Sequence, residues 1–431
     1  MLFARLLRIT NNCYEEVKVE KLAIDGGRPV RKKPFPPRLL IGKEEKRAIL
    51  KMVNRTLLHG GAFERYGGTE VDTYEKEFAK YFGTKFATAM SSGTAAIHSA
   101  LGALKLEPGT EVITSPITDP GAITPILFQL CIPVFTDVEY ETLNISPRAI
   151  EKNITKKTKV IIVTHLAGQP AKMDEIMKIA RKNKLIVIED CAQSHGAKYK
   201  GKYAGAIGDM GCFSLMSGKH TTSGGQGGMV TTNSEKLYWN VKRFADRGKP
   251  FNSREKTNLF LGLNYRMTEL EAVIGRVQLK KLKKIAQKRK WIYDSLNEKM
   301  KKLYAFRLWK IVPGAEVNPW FCFVHYTKDV LKRDKDEVVK ALAKEGLPIG
   351  AKYMNPLYEW KWIKERNTFG NSHYPYNLPG VRKIDYTDCC PDAKRSLNDH
   401  MTLFIHEGWT KKEIEDTAKA FEKVEKYWRT K

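Results

Sequence analysis

Between residues 85 and 190 the chain alternates short apolar runs, KFATAM, EVITSP, IPVFTDV, KVIIVTHL and LIVIED, with stretches of helical period. Strands that are apolar throughout must be covered on both faces, so the pattern demands a parallel or mostly parallel sheet clad by helices. Ligands of such sheets collect beyond the carboxyl ends of the strands. Here those ends carry the polar clusters SSGT, SPITD, THLAGQP and EDCAQSHGA.

The rest of the chain organises around this core. GGRPVRKKPFPPR (Gly26 to Arg38) is turn-rich and proline-punctuated, and reads as part of an irregular N-terminal arm over residues 1–40. IGKEEKRAILKMVN and VDTYEKEFAKYFG read as helices, the second ended by Gly83, with a glycine-bearing loop, Gly60 to Gly68, between them. Further helices are expected over Thr94–Leu106, around Met173–Lys184 and from about Met267 to Leu303. These features predict a large domain over residues 41–285 and a smaller C-terminal α/β domain over 286–431. The latter holds an aromatic, proline-rich stretch (Tyr353 to Tyr386) and a closing charged helix.

The formal charge of +27 attracts anions, whether nucleic acid, anionic lipid or a phosphorylated substrate. The densest basic run, KKLKKIAQKRK, sits among Leu270, Ile274, Val277, Leu282 and Ile285 at near-helical spacing, so its lysines are expected on one solvated helix face. No nucleic-acid-binding motif accompanies it, which makes nucleic acid an unlikely partner. No apolar run is long enough to span a membrane, and the first 20 residues lack a leader's apolar core and cleavage site. Seven cysteines, without CxxC spacing, read as free thiols of a cytoplasmic protein, and no metal site is expected.

SLMSGKHTTSGGQGGMV (Ser214 to Val230) places Lys219 ahead of two glycine pairs. A phosphate loop of the GxxxxGK[ST] type puts its lysine after the glycines, so that pattern does not fit. A Schiff-base lysine does, if an electron sink is held nearby. Asp190, ending LIVIED, is a costly buried carboxylate that a pyridinium nitrogen would justify; a helix cap or a Mg²⁺ ligand would justify it too. Gly93 and Thr94 open a helix whose free N–H groups suit a phosphate, and Ser214 could add a hydroxyl.

The ordered set SSGTAAIHSAL, DVEYETLNISPRAI, VTHLAGQPAKMDEI, EDCAQSHGAKYKGKYAGAIGDMGCFS, GKHTTSGGQGGMVTT, NYRMTELEAVIGRVQL and CPDAKR resembles the DegT/StrS sugar aminotransferases, pyridoxal-phosphate enzymes of fold type I. The resemblance spans about residues 22 to 425 and leaves residues 1–20 without a counterpart. It implies that Lys219 forms the Schiff base with pyridoxal 5'-phosphate, that Asp190 pairs with the pyridine nitrogen and that Gln193 sits beside the ring hydroxyl. Gly93, Thr94 and Ser214 would hold the phosphate, and Asn264 would reach the phosphate of a neighbouring subunit, making the working unit a homodimer with shared sites. The implied reaction moves nitrogen from L-glutamate or L-glutamine to a keto sugar, in amino-sugar or polysaccharide biosynthesis. Relatives with His in place of the lysine remove a sugar hydroxyl instead, and Lys219 argues against that branch; His220 reads as a packing residue.

Two departures stand out. Asp119 occupies the position where the family usually has an aromatic ring to stack on the cofactor, and GGQGG, with Gln226, replaces the common GEGG. They leave open whether the acceptor is a nucleotide-linked keto sugar or a keto-cyclitol such as scyllo-inosose, and the +27 charge keeps a third reading, a catalytically silent regulatory or nucleic-acid-binding relative. Tyr353, Trp360 and Trp362 are candidate substrate contacts.

Overall fold

A computed structural model describes residues 20–429, so expectations for residues 1–19, Cys13 included, lie outside the described residues. Seven strands form the central sheet: β1 (Phe86–Met90), β2 (Glu111–Thr114), β3 (Ile132–Phe135), β4 (Thr158–Thr164), β5 (Ile186–Asp190), β6 (Met210–Ser214) and β7 (Gly228–Thr232). Their order is β1-β7-β6-β5-β4-β2-β3. Pairings from β6 across to β3 are parallel, and β7 alone runs against both neighbours.

The continuous apolar runs are explained by two-sided burial. Along β4, Val160 and Ile162 enter one core, while Ile161 and Val163 enter another with Met173, Ile176 and Ala180 of helix Met173–Lys182. Side chains of a strand alternate between faces, so both faces must be apolar when both are covered. A third cluster joins Tyr74, Phe78 and Phe82 of helix Thr69–Phe82 to Phe213 of β6.

Helix boundaries follow capping chemistry rather than apolar period. The first helix after β1 runs Gly93–Ala103, starting where the Ser92 hydroxyl accepts from Ala95 N–H. The long helix runs Glu269–Met300, opened by a capping box between Thr268 and Glu271. The expected domain boundary at 285 falls inside this unbroken helix. Its basic run turns Leu282, Ile285 and Arg289 inward and leaves Lys280, Lys283, Lys284 and Lys290 exposed, as a solvated face requires.

C-terminal to that helix, four antiparallel strands (Phe306–Leu308, Cys322–Tyr326, His400–Leu403 and Ile349–Gly350) pack with helix Lys411–Arg429. The arm is ordered against this part of the molecule. Leu22 is buried, the N–H groups of Ala23 and Val30 donate to the Glu345 carboxylate, and Lys423 closes on the same carboxylate at 2.9 Å. The six described cysteines are free thiols, five of them buried.

Candidate active site

Asp190 ends β5 level with Thr164 of β4, and its side chain is almost wholly buried. One carboxylate oxygen accepts from Ala192 N–H at 3.0 Å; the other takes only long contacts, 3.4 Å each, from the hydroxyls of Thr118 and Thr164. Hydroxyl bonds to oxygen are ordinarily near 2.7–2.8 Å, so that oxygen has room for a stronger donor. Burial raises the Asp190 pKa; the Ala192 N–H and the charge of Lys219 pull it back. Among the described residues no cation pairs with this buried carboxylate, which suits it to a pyridinium N–H.

Lys219 follows β6 in a loop that folds back on itself: Leu215 N–H donates to Gly227 O, Ser217 N–H to Gly225 O and Ser223 N–H to Leu215 O. The glycines make this return possible at two points. Gly224 has φ +107°, and at Gly227, φ +147°, a Cβ would meet the Ser223 hydroxyl at 2.0 Å. The Lys219 side chain is 7% exposed, its Nζ lies 3.9 Å from the centre of the Trp320 ring, and no described carboxylate is within ion-pair distance of it. Burial lowers its pKa, opposed by the more distant carboxylates of Asp190 and Asp119.

Between them is a turn able to receive a phosphate. A Cβ on Gly93 would sit 2.6 Å from Ser214 Cβ, and one on Gly228 would sit 2.1 Å from Ser92 O, so the SSGT turn packs directly on the ends of β6 and β7. Ala95 and Ala96 N–H are satisfied by Ser92, whereas Thr94 is exposed at the helix start and Ser214 Oγ accepts only a 3.5 Å contact from Met216 N–H. An 11-residue helix with open N–H groups beside a free hydroxyl fits an anion. The donor set therefore fits pyridoxal phosphate: an amine, a ring-facing acid and a phosphate cradle.

Gln193 is fixed across the pocket, its Oε1 accepting from Ala167 N–H at 2.9 Å and its Nε2 donating to the Tyr353 hydroxyl at 3.0 Å. Tyr353 in turn stacks on Phe321, with ring centres 4.8 Å apart. Of the three aromatic candidates it alone reaches these residues; Trp360 and Trp362 pack against the main core. His220 is buried and bonds Asn318 O at 2.9 Å. Behind the sheet, His165, Glu189 and Cys191 come within 4.8 Å of one another, but their bonds are already made. Ala171 N–H donates to His165 Nδ1, His165 Nε2 meets Glu189, and Glu189 accepts from the N–H groups of Gly205, Ile207 and Gly208.

Asn264 is not brought to this group. It is exposed, in a segment bridged to Asp246 whose Tyr265 O accepts from Ser91 N–H. Asp119 is exposed and caps a short turn, its carboxylate accepting from Gly121 N–H at 2.8 Å. Sequence reasoning missed Trp320, for which VNPWF offers no signal beyond an aromatic residue, and Arg38, one basic residue among several in the arm.

The DegT/DnrJ/EryC1/StrS aminotransferase family model matches residues 43–422. A GDP-perosamine synthase of Caulobacter vibrioides is 31% identical over 362 residues, 83% of this chain and 90% of its own length. An aminotransferase from Psychrobacter cryohalolentis is 31% identical with a TM-score of 0.80, over 92% of this chain and 100% of that one. A Streptococcus pneumoniae protein named as a sugar aminotransferase, solved in its PLP form, shares the fold at 22% identity and TM-score 0.78, over 92% and 99% of the two chains.

Proposed function

This chain belongs to the DegT/DnrJ/EryC1/StrS aminotransferase family, and we propose that it moves the amino group of L-glutamate or L-glutamine onto a nucleotide-linked keto sugar. It is a pyridoxal-phosphate-dependent sugar aminotransferase. The observation that carries the assignment of roles is Lys219: a buried amine, out of ion-pair distance of any described carboxylate, yet within electrostatic reach of the buried Asp190.

Bound pyridoxal phosphate supplies an aldehyde to take the nitrogen and a ring to hold the electron pair left when the α-proton departs. The protein does the rest. Asp190 would keep the ring nitrogen protonated, and the open N–H groups at Gly93 and Thr94, with the Ser214 hydroxyl, would hold the phosphate. The Gln193 amide, oriented by the Tyr353 hydroxyl, would face the ring oxygen. Lys219 Nζ would serve as the base that accepts the α-proton of the donor and as the acid that returns it on the far side of the transferred nitrogen. Burial depresses its pKa, which raises the fraction of free amine at neutral pH and suits it to that work.

A nucleotide handle is supported by the +27 charge, which concentrates an anionic substrate, and by the GDP-sugar relative. An exposed Asn264 supports a homodimer in which it serves the partner's site. Six free thiols suit a reducing compartment, the cytoplasm. Among the described residues no helix is long and apolar enough to cross a membrane.

The test is the visible spectrum of the purified protein with L-glutamate and L-glutamine, followed by GDP- and dTDP-linked keto sugars and scyllo-inosose. Loss of the visible band with donor and its return with a nucleotide sugar support the reading. Return with scyllo-inosose alone would overturn the nucleotide handle. A protein with no band after adding cofactor would overturn the assignment of Lys219, and salt-dependent binding to DNA would then point to the silent, nucleic-acid-binding alternative.

A further inference from the structure

The carbonyls on either side of Lys219 have no backbone donors among the described residues. Both are taken by one guanidinium from the distant N-terminal arm. Arg38 Nη1 donates to Gly218 O at 2.8 Å and Nη2 to His220 O at 3.1 Å. Its Nε donates to Glu407 at 2.8 Å. The second oxygen of Glu407 takes Arg289, also at 2.8 Å, and Arg289 Nη1 grips the carbonyls of Pro319 and Trp320 at 2.8 and 3.0 Å. Trp320 closes the circuit: its indole N–H donates to Gly218 O at 2.9 Å while its ring faces Lys219 Nζ.

This arrangement does more than cap loose carbonyls. Gly218 is held at φ +100°, a conformation that turns the chain sharply just before the lysine, and His220 is fully buried, so its carbonyl cannot fall back on water. A guanidinium can reach two carbonyls and a carboxylate at once because its donors form a rigid planar fork; an ammonium cannot match that geometry. The three protein segments that meet here, the arm, the Lys219 loop and the C-terminal part, are joined at the peptide units flanking the reacting amine.

We propose that Arg38 is a positioning residue for the transamination, holding Lys219 Nζ in its reactive pose, with Glu407, Arg289 and Trp320 completing the clamp. The inference rests on Lys219 being the lysine that binds the cofactor. A displacement of the amine by about 1 Å can cost on the order of 100-fold in rate. The clamp therefore acts on the proton-transfer step and on cofactor capture, and leaves donor recognition alone.

The experiment compares wild type, Arg38→Ala, Arg38→Lys and Glu407→Gln. Apoprotein is mixed with pyridoxal phosphate, the product is fixed with borohydride at timed intervals, and the fraction attached to Lys219 is read by mass spectrometry. kcat, donor KM and melting midpoint are measured alongside, with and without guanidinium ion. The expected result for Arg38→Ala is slower attachment at Lys219 and a kcat lowered by up to about 100-fold, donor KM nearly unchanged, and partial recovery on adding guanidinium. Arg38→Lys should fall between, and Glu407→Gln, which keeps the shape and loses the anchoring charge, should show a smaller loss in the same direction.

Wild-type attachment and kcat in Arg38→Ala would overturn the proposal. So would losses that follow the melting midpoint across the three variants and do not respond to guanidinium, since those report folding rather than positioning. Wild-type protein that attaches no cofactor at Lys219 is a separate outcome, and it would remove the assignment of Lys219 together with the role of Arg38.

Discussion

The loop carrying Lys219 and the segment carrying Asn264 lie at the same end of the central sheet, yet they end in opposite conditions. The first follows β6; the second runs beside Met90 and Ser91 at the end of β1, and β1 and β6 point the same way because both oppose β7. Lys219 and His220 are buried, and the loop that carries them is tied down by Arg38 and Trp320. The asparagine segment stays outside, with Leu261 90% and Leu263 42% exposed around it. On the proposed reading, the inner half of the site is finished within a single chain and the outer half waits for a partner.

The strongest way to break the inner half is at its two charges. Lys219→Ala should abolish transamination, a loss of roughly 10³-fold or more, while leaving the fold intact by circular dichroism. Asp190→Asn keeps the shape and removes the charge, and should lower kcat by about 100-fold with cofactor still bound. Activity near wild type in either variant would refute the role given to that residue.

The outer half is tested by mixing. If Asn264 serves the partner, Asn264→Ala weakens cofactor binding by about tenfold, the worth of one hydrogen bond to a charged group. At a cofactor level that leaves the Asn264→Ala sites largely empty, Lys219→Ala and Asn264→Ala chains refolded together should then show more activity than either alone, because a mixed dimer contains one site with both residues intact. A strictly monomeric protein by light scattering, or no recovery on mixing, would sink the shared site.

Burial also predicts a pH dependence that the exposed segment does not share. His98, His195 and His400 are buried, which holds their pKa values at about 4, about 3 and about 3. The unfolded rings titrate near about 6.5. Below that pH the unfolded chain binds protons that the fold cannot, so stability present above about pH 6.5 falls as pH drops toward the folded values, by roughly 2 kcal/mol per histidine at pH 5. Urea unfolding at pH 7.5 and pH 5 measures this, and equal midpoints would contradict it. Ser92→Ala is the smallest of these effects: loss of the cap on helix Gly93–Ala103 should cost about 1 kcal/mol of stability.

Much of the inner half was legible in the sequence. Asp190 was found because a carboxylate closing an apolar run needs a reason, and Gly93 because it sits where a strand pattern yields to a helical one. Lys219 stood out against its glycines. These are local signals, and the fold preserves them because strand ends and helix starts carry their chemistry wherever the sheet places them. Arg38, Glu407 and Trp320 gave no such signal. Arg38 and Glu407 are 369 residues apart and share a hydrogen bond only because the arm and the C-terminal part meet at the lysine loop.

Aromatic residues show the same limit. Tyr353, Trp360 and Trp362 are aromatic residues of one stretch, and period or composition cannot say which reaches Gln193; all three pack against the main core, and Tyr353 turns its hydroxyl to Gln193. By itself, the order of apolar runs and polar ends determined a doubly covered, mainly parallel sheet with an amine and an acid at its carboxyl edge. Tertiary structure alone decided what holds that amine, because hydrogen bonds between distant segments depend on the path of the whole chain, and no stretch of sequence contains that path.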